Sequence, residues 1–373
     1  MNLFRKTYTL INLDKLKYNI NNIIKKYNNY NYYFGIVKAN AYNHGDVEIS
    51  KELIKNGINY LGVSSLDEAL NIRKKIKKID ILIMSPIDYN QIKIASKNNI
   101  TITINSIDYI KSIVNSKYKI RVHIKLDTGM NRLGIKDNKE LIDTINLIKS
   151  NKNIIIEGLY THMANADSED KTFYEKQIKK FNNIIKNIDL SIFKIIHVGN
   201  SSTLLNHKKL KYVNGIRIGL ILYGIKPFNT DTIDLKPILS LHSKVIQIKE
   251  VNKDEYVGYN LNYKAKKKEI IAIVPIGYAD GIIRKNTNRY VEINNNKYKI
   301  IGNICMDMLM IRIDNKVKID DDVIIIGNNI DCNYIAKHLS TINYEVICSI
   351  SDRVHKIYVK NKKIIKSKSN RFS

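Results

Sequence analysis

The sequence of 373 residues contains no tryptophan, 4 prolines, 16 glycines and 3 cysteines. The cysteines, Cys305, Cys332 and Cys348, form neither a close-spaced metal pair nor a disulfide framework, which favours a reducing compartment. No apolar run approaches the roughly 18 residues of a membrane span, and the N-terminal segment lacks the unbroken apolar core of a signal peptide. We therefore expect a cytoplasmic protein that does not insert into a membrane.

Acidic residues are also scarce, because 35 Asp and Glu stand against 62 Lys and Arg, a formal net charge of +27. Such a balance is typical of proteins that bind nucleic acid or an anionic surface. Here the charges are spread along the chain, without an arginine-rich arm or a recognised nucleic-acid motif. Lysine, asparagine, isoleucine and tyrosine are all inflated, which indicates compositional drift of the coding sequence. We predict no nucleic-acid partner.

Short apolar segments alternate with amphipathic ones over residues 12–224. The segment LDKLKYNINNIIKKY places Leu13, Leu16 and Ile20 on one stripe, which predicts a helix. Eight apolar segments predict strands with helices between them: YFGIVK, YLGVSS, DILIMS, ITITIN, IRVHIKL, IIIEGLYTH, FKIIHVG and GIRIGL. About eight such units predict an α/β fold, a (β/α)₈ TIM-like barrel rather than an open sheet, over residues 1–234.

After about residue 234 helical stripes become rare, and short β-rich segments such as SKVIQIKEV, EIIAIVPIG and DDVIIIG take over. One segment among them, NYIAKHLSTI, predicts a helix. We predict a second, mainly β domain over residues 235–373. Because no disordered linker separates the two domains, we expect them to pack together.

Polar and basic residues recur where the predicted barrel strands end, and this face carries the chemistry in barrel enzymes. They are Lys38, Asn40, Tyr42, Asn105, Lys125, Asp127, Arg132, His162, Asn200, Ser201, Arg217 and Gly219. They include no carboxylate pair and no metal-type His/Asp cluster, so we predict no metal. Each alone has an ordinary alternative, such as a paired or snorkelling lysine. Their recurrence at one end of successive strands favours a functional site.

A basic rim with one lysine on its first strand, which we expect to end at Lys38, fits an anionic cofactor held by a Schiff base. Burial and neighbouring cations lower the pKa of a lysine and free its amine as a nucleophile. The segments GNSS and IGL can supply the hydroxyls and backbone N–H groups that a phosphate needs. The pattern is compatible with pyridoxal phosphate but does not by itself identify it.

The chain resembles the alanine racemase family over nearly its whole length. Matching segments occur in the family's order, among them VKANAYNHG, HIKLDTGMNRLG, EGLYTHMANAD, GIRIGLILYG, VPIGYADG, GNICMDMLMI and YEVICSISDRV. The resemblance implies a (β/α)₈ barrel followed by a β domain that a strand near residues 8–11 joins. It implies pyridoxal 5′-phosphate as cofactor, and a homodimer that racemises alanine and supplies D-alanine for peptidoglycan. The family usually has glycine where Asn43 stands, and asparagine tolerates left-handed backbone better than most residues.

The resemblance also assigns cofactor-binding roles. Lys38 would form an imine with the cofactor, and Arg217 would meet the ring nitrogen. Because arginine does not give up its proton in a protein, Arg217 should leave that nitrogen unprotonated and suppress side reactions such as transamination. The complete implied set is Lys38, Tyr42, His162, Asn200, Ser201, Arg217, Gly219, Leu220 and Tyr344.

Racemisation needs a proton-transfer group on each face of the α-carbon. By resemblance, Lys38 would exchange the proton of the D-enantiomer, and Tyr259 of the partner subunit that of the L-enantiomer. The substrate carboxylate would meet Arg132 and the backbone N–H of Met306 of the partner subunit. Lys125 lies where many family members carry a carbamylated lysine, and an ordinary lysine remains the alternative.

Two tyrosines, Tyr278 and Tyr344, would narrow the entrance for a small substrate side chain. A broader-specificity racemase, for example for serine, would differ in the size of this pocket. A pyridoxal-phosphate carrier on the same barrel would lack the β domain, so the C-terminal half argues against it. A basic decarboxylase relative would be expected to carry a carboxylate where Arg217 stands.

Overall fold

The computed structural model describes residues 5–368, so the outer limits of the two predicted domains lie outside it. The described chain opens with strand β1 (Tyr8–Asn12) and helix α1 (Leu13–Lys26). Helix α1 begins where the Asn12 side chain accepts a hydrogen bond from the backbone N–H of Lys15 at 2.9 Å. This bond satisfies one of the N–H groups that the first helical turn leaves without a partner.

Eight parallel strands within residues 32–218 form the first sheet: β2 (Tyr32–Ile36), β3 (Tyr60–Val63), β4 (Asp80–Ile83), β5 (Ile102–Ile104), β6 (Ile120–Lys125), β7 (Ile154–Tyr160), β8 (Ile195–His197) and β9 (Gly215–Ile218). Their order is β4-β3-β2-β9-β8-β7-β6-β5. The outer strands β4 and β5 meet through a parallel bridge between Leu82 and Thr101, which closes the sheet into a barrel. The predicted (β/α)₈ barrel is confirmed, and each predicted strand segment overlaps one observed strand.

Helices follow the barrel strands along the chain: α2 (Lys38–Tyr42), α3 (Asp46–Lys55), α4 (Leu66–Lys75), α5 (Ile92–Lys97), α6 (Ile107–Ile113), α7 (Asn138–Lys149), α8 (Thr172–Ile184) and α9 (Ser201–Asn206). The prediction that the first barrel strand ends at Lys38 is wrong. Strand β2 ends at Ile36, and Lys38 opens a short turn, because the backbone becomes left-handed directly after it. Asn105 and His162 likewise follow their strands rather than end them.

A ten-stranded sheet within residues 8–368 contains β1 and nine later strands: β10 (Leu239–Lys244), β11 (Gln247–Val251), β12 (Glu269–Val274), β13 (Tyr290–Ile293), β14 (Asn296–Ile301), β15 (Leu309–Ile313), β16 (Asp322–Ile326), β17 (His355–Lys360) and β18 (Lys363–Lys368). Strand β1 lies antiparallel to β10 and parallel to β17. The second region is mainly β, as predicted. The predicted boundary between residues 234 and 235 falls in the segment that joins β9 to β10.

Two helices, α10 (Cys332–Leu339) and α11 (Asn343–Cys348), interrupt the β-rich region, although the sequence predicts only one. Short 3₁₀ turns lie at Tyr89–Gln91, Leu190–Ile192, Tyr259–Leu261, Tyr278–Asp280 and Arg284–Asn286. The β domain contacts the barrel mouth, where the Asn43 side chain donates to Ile350 O and Tyr358 OH donates to His44 O. Within residues 5–368 no helix is long and apolar enough to cross a membrane.

Candidate active site

A cavity of about 910 Å³ opens at the barrel mouth, under α11. Its wall includes most of the residues that the sequence singles out: Lys38, Tyr42, Lys125, Arg132, His162, Asn200, Ser201, Arg217, Gly219, Leu220 and Tyr344. Four of these are lysine or arginine, whereas the acidic residue on the wall is Asp167. The cavity therefore favours an anionic ligand. No cluster of three metal-ligating side chains occurs in the described part of the chain.

Lys38 is held by a strained turn. Ala39, Asn40 and Ala41 have left-handed φ values of 51°, 54° and 54°, which are unfavourable for alanine and tolerated by asparagine. The turn is fixed by hydrogen bonds from Ala39 N to Glu68 Oε1 at 2.7 Å and from Asp46 N to Asn40 Oδ1 at 2.9 Å. A strained backbone persists only where surrounding contacts hold it, and these two hydrogen bonds hold this turn.

The turn ends at Asn43, which has φ 66° and ψ 12° in the left-handed region. The expectation that asparagine serves at this usual glycine position agrees with that geometry. Its side chain donates to Ile350 O in the β domain, so both domains hold the turn.

Burial lowers the pKa of the Lys38 amine, and Arg132 lowers it further, whereas Glu68 opposes the shift. A lowered pKa increases the fraction of neutral amine at a given pH. Lys38 is therefore suited to act as a nucleophile and as a base.

Arg217 lies buried on β9, and its terminal nitrogens are engaged by the protein. Nη1 donates to His197 O at 2.7 Å and meets His197 Nδ1 at 2.9 Å. Nη2 donates to Thr161 O at 2.7 Å and meets His162 Nδ1 at 3.1 Å. Among residues 5–368, nothing accepts a hydrogen bond from its Nε–H, and Arg217 lines the cavity. That N–H is available to a ligand atom with a lone pair.

The protonation states around Arg217 follow from burial. Burial lowers the pKa of Arg217 to about 10, which still leaves the guanidinium protonated at neutral pH. Burial, followed by the charges of Arg217 and Arg132, holds the pKa of His162 well below its usual range. His162 is therefore neutral, and its Nδ1 accepts from the arginine.

Hydroxyl and backbone donors gather beside the arginine. Gly219 N donates to Ser201 Oγ at 3.1 Å, and the rings of Tyr42 and Tyr344 lie 5.7 Å apart. Burial raises the pKa of Tyr42, and it raises that of Tyr344 to about 12, so both phenols keep their protons. Asn200 borders this group, but its side-chain oxygen caps α9 by accepting from Thr203 N at 2.9 Å.

Two more cationic residues of the cavity wall are Lys125, at the end of β6, and Arg132, in the loop that follows it. Burial lowers the pKa of Lys125 to about 8, with further contributions from Arg132 and Arg217. Lys125 lies 5.6 Å above the ring of Tyr160, and no carboxylate within residues 5–368 forms an ion pair with it. Asp127 instead accepts from the backbone N–H groups of residues 129 and 131, which orders the loop before Arg132.

Three of the site residues implied by the resemblance do not line the cavity of their own chain. Tyr259, Tyr278 and Met306 are 67%, 42% and 52% exposed, on the β domain. Tyr278 N donates to Cys305 O at 3.0 Å, which places the segments of Tyr278 and Met306 side by side. One chain thus presents a cavity that lacks these groups and an exposed surface that carries them.

Some cavity residues were missed from the sequence: Met84, Tyr160, Met163, Ser202 and Asn343 all line the wall. Tyr160 is the last residue of β7, so a stricter reading of strand ends would have found it. Asn343 begins α11, a helix that was not predicted, and the predicted site residue Tyr344 directly after it was the signal that could have found it. Conversely, among the polar residues predicted where strands end, Asn40, Asn105 and Asp127 do not line the cavity.

A (β/α)₈ barrel with a lysine and an arginine at one mouth, joined to a β domain, defines a class of two-domain barrel enzymes. Family models described as the N-terminal and C-terminal domains of alanine racemase match residues 11–227 and 238–358. The chain belongs to the alanine racemase family.

Individual relatives agree with this assignment. An alanine racemase of Halalkalibacterium halodurans is 35% identical, and the alignment covers 98% of each chain. The solved alanine racemase of Clostridium difficile 630 is 35% identical, covers 99% of both chains and has a TM-score of 0.93. A solved histidine racemase of Leuconostoc mesenteroides is 25% identical, covers 96% of this chain and 99% of its own, and has a TM-score of 0.88.

Proposed function

We propose that this chain interconverts L-alanine and D-alanine with pyridoxal 5′-phosphate, as a homodimer in which each subunit completes the other's site. One observation carries the proposal: Lys38, with a lowered pKa, and the free Nε–H of Arg217 face the same cavity. Membership of the alanine racemase family supports the reaction and the cofactor. The product would supply D-alanine for peptidoglycan, and we expect the enzyme in the cytoplasm.

The residues fit the proposed cofactor. The neutral amine of Lys38 would hold its carbonyl carbon, and the Nε–H of Arg217 would meet the ring nitrogen. The phosphate would take hydrogen bonds from a group of hydroxyls and backbone N–H groups at Tyr42, Ser201, Gly219, Leu220 and Tyr344. Pyridoxal phosphate, when bound, supplies electron withdrawal that acidifies the α-hydrogen of an amino acid.

Arg217 would limit that electron withdrawal. Its pKa of about 10 keeps the guanidinium a donor at neutral pH, so the ring nitrogen would accept a hydrogen bond without being protonated. His162, which is neutral and bonded to Arg217, would support the same side of the ring. A less electron-poor ring favours return of the proton to the α-carbon over transamination.

Two groups would move the proton. Lys38 Nζ would act on one face of the α-carbon and exchange the proton of the D-enantiomer. Tyr259 Oη of the partner subunit would act on the other face and exchange that of the L-enantiomer. The 67% exposure of Tyr259 in the single chain supports a role at a subunit boundary.

The substrate carboxylate would be bound by Arg132 and by the backbone N–H of Met306 of the partner subunit. Lys125 would brace Arg132 as a carbamate, since its pKa of about 8 makes the neutral amine, which reacts with carbon dioxide, far more abundant at neutral pH than in an ordinary lysine. Incubation with ¹³C-labelled bicarbonate tests this point. A carbamate signal that disappears in Lys125→Met supports it, and no signal leaves an ordinary lysine in place.

The substrate side chain would be limited by Tyr344 and by Tyr278 of the partner subunit. A broader-specificity racemase is the second candidate, since a solved structure with a TM-score of 0.88 is a histidine racemase. The shared fold therefore does not determine which amino acid is the substrate, and we propose that the residues at the entrance determine it. Rates on alanine, serine and histidine separate the two candidates.

The direct experiment is to incubate purified protein with L-alanine, with and without added pyridoxal phosphate, and to measure D-alanine. We expect D-alanine to form at a rate that depends on the cofactor. Unchanged L-alanine in the presence of bound cofactor would refute the proposed reaction.

A further inference from the structure

A series of hydrogen-bonded, buried side chains connects Arg217, through the barrel interior, to Glu157 on strand β7. His197 Nδ1 meets Arg217 Nη1 at 2.9 Å, and His197 Nε2 meets His123 Nδ1 at 2.8 Å. His123 Nε2 meets Glu157 Oε2 at 3.3 Å. His123, His197 and Glu157 are at most 4% exposed, and none of them lines the cavity. We call Glu157, His123 and His197 the relay.

Arg217 and Glu157, at the two ends of the relay, determine which nitrogen donates and which accepts in each hydrogen bond between them. Arg217 can only donate hydrogen bonds, and an ionised Glu157 can only accept them. Burial alone would raise the pKa of Glu157, but hydrogen bonds from His123 and Tyr60 and the positive charge of Arg121 lower it to about 2. Each imidazole between them must then donate from Nε2 and accept at Nδ1. A second proton on either ring would set one N–H against another.

Packing holds this arrangement in place. The His197 ring stacks between Phe34 and Tyr160, with centroid separations of 4.4 and 4.7 Å, so the ring cannot turn over. Glu157 also accepts from Arg121 Nη1 at 2.8 Å and from Tyr60 OH at 2.7 Å. Burial lowers the pKa of His123 and of His197, in agreement with neutral rings.

We propose that the relay is a positioning device for Arg217: Glu157 sets the tautomers of His123 and His197, and these occupy Nη1 so that Nε–H remains for the ligand. The effect of the relay on catalysis rests on the proposed function, whereas the assignment of the His123 and His197 tautomers does not depend on it. The relay residues touch neither substrate nor cofactor and act through the arginine.

An isosteric substitution, Glu157→Gln, separates this role from simple packing. The amide oxygen is expected to turn toward the Arg121 guanidinium, which leaves the NH₂ group facing His123 Nε2. His123 must then carry its proton on Nδ1, and His197 must do the same. The reversed relay would set His197 Nδ1–H against Arg217 Nη1–H and displace the guanidinium.

Side-chain ¹⁵N NMR of the full-length protein without cofactor reads the tautomers directly. We expect the rings of His123 and His197 to be protonated on Nε2 in the wild type and on Nδ1 in Glu157→Gln. Thr103→Val is the matched control, because Thr103 is also buried in the barrel and bonds Tyr160 OH outside the relay. Wild-type rings protonated on Nδ1 or on both nitrogens, or a Glu157→Gln spectrum equal to that of the wild type, would overturn the proposal.

A second measurement covers the outcome that Glu157→Gln fails to fold. His197→Phe keeps the stacking with Phe34 and Tyr160 but breaks the relay. We expect it to remain folded, to bind pyridoxal phosphate about tenfold more weakly, and to transaminate more often per racemisation event. Wild-type affinity and partition in His197→Phe would contradict the role of the relay. Failure of the wild type itself to bind the cofactor would count against the proposed function and leave the tautomer result standing.

Discussion

The phenol oxygen of Tyr42 occupies the space that a side chain on Gly219 would need, because a Cβ built on Gly219 lies 2.6 Å from it. The Tyr42 ring is held between Tyr223 and Tyr344, with centroids 5.0 and 5.7 Å away, and cannot easily move aside. Gly219 thus lets a buried hydroxyl approach the backbone where we propose that the phosphate binds.

Gly219→Ala should therefore weaken the binding of pyridoxal phosphate by about tenfold or more, because the methyl group and the phenol compete for one position. Spectroscopic titration with the cofactor measures this. In the double variant Gly219→Ala/Tyr42→Phe the next ring atom is 3.3 Å away, so the melting temperature should recover while cofactor affinity should not. Wild-type affinity in Gly219→Ala would argue against this phosphate site.

Lys38→Ala should abolish the absorbance of lysine-bound cofactor and lower racemisation by about a thousandfold or more, since one base and the covalent attachment are both lost. Lys55→Ala is the control, because Lys55 is an exposed lysine at the end of α3. An unchanged spectrum in Lys38→Ala would remove the basis of the cofactor assignment.

Tyr259→Phe should act on the two enantiomers unequally. Under single-turnover conditions, exchange of the α-hydrogen with deuterium should fall far more for L-alanine than for D-alanine, because the phenol serves only one face. Tyr256→Phe, a similarly exposed tyrosine in the same loop, should leave both exchanges near wild type. Equal losses in Tyr259→Phe would count against a two-base mechanism.

Arg217→Glu should slow racemisation and raise transamination, because a carboxylate would let the ring nitrogen become protonated. Pyruvate formed per D-alanine formed reports the partition. The substitution leaves several carbonyl oxygens without a donor, so we also expect a lower melting temperature. A folded variant with a wild-type partition would undo the role given to Arg217.

Lys125 makes a prediction about pH. Its pKa falls from 10.5 in the unfolded chain to about 8 in the folded protein, so the folded state binds fewer protons between these values. The free energy of unfolding attributable to this group should then rise with pH across that window, by up to about 3 kcal/mol. Urea unfolding of the wild type and of Lys125→Met at pH 8 and pH 10, in buffers free of carbon dioxide, isolates the effect. If the free energies of unfolding of the wild type and of Lys125→Met differ by the same amount at pH 8 and at pH 10, this prediction is wrong.

Much of the barrel was predictable, because strands buried on both faces appear as short apolar segments between amphipathic helices. Helix α11 could not be predicted, because its segment NYEVIC is rich in residues that favour strands. Packing against α10 overrides that preference. The left-handed turn after Lys38 was also missed, because two of the groups that hold it, Glu68 and Ile350 O in the β domain, are distant from it in the sequence.

The candidate site was predictable where polar residues follow strands, as at Arg132 and His162. The relay was not, because His123 and His197 lie inside strands, where sequence alternation does not show which side chains meet across the barrel. The exposure of Tyr259 and Met306 leaves their place in the site a prediction, because a cavity completed by a second chain is incomplete in one.

Mixing two inactive variants tests the central claim of a site shared between subunits. In a heterodimer of Lys38→Ala and Tyr259→Phe, one of the two sites contains a native lysine from one chain and a native phenol from the other. Random exchange of subunits should then restore about a quarter of the wild-type rate of L-alanine racemisation. A rate that stays at the level of the separate variants, although heterodimers have formed, would contradict the account.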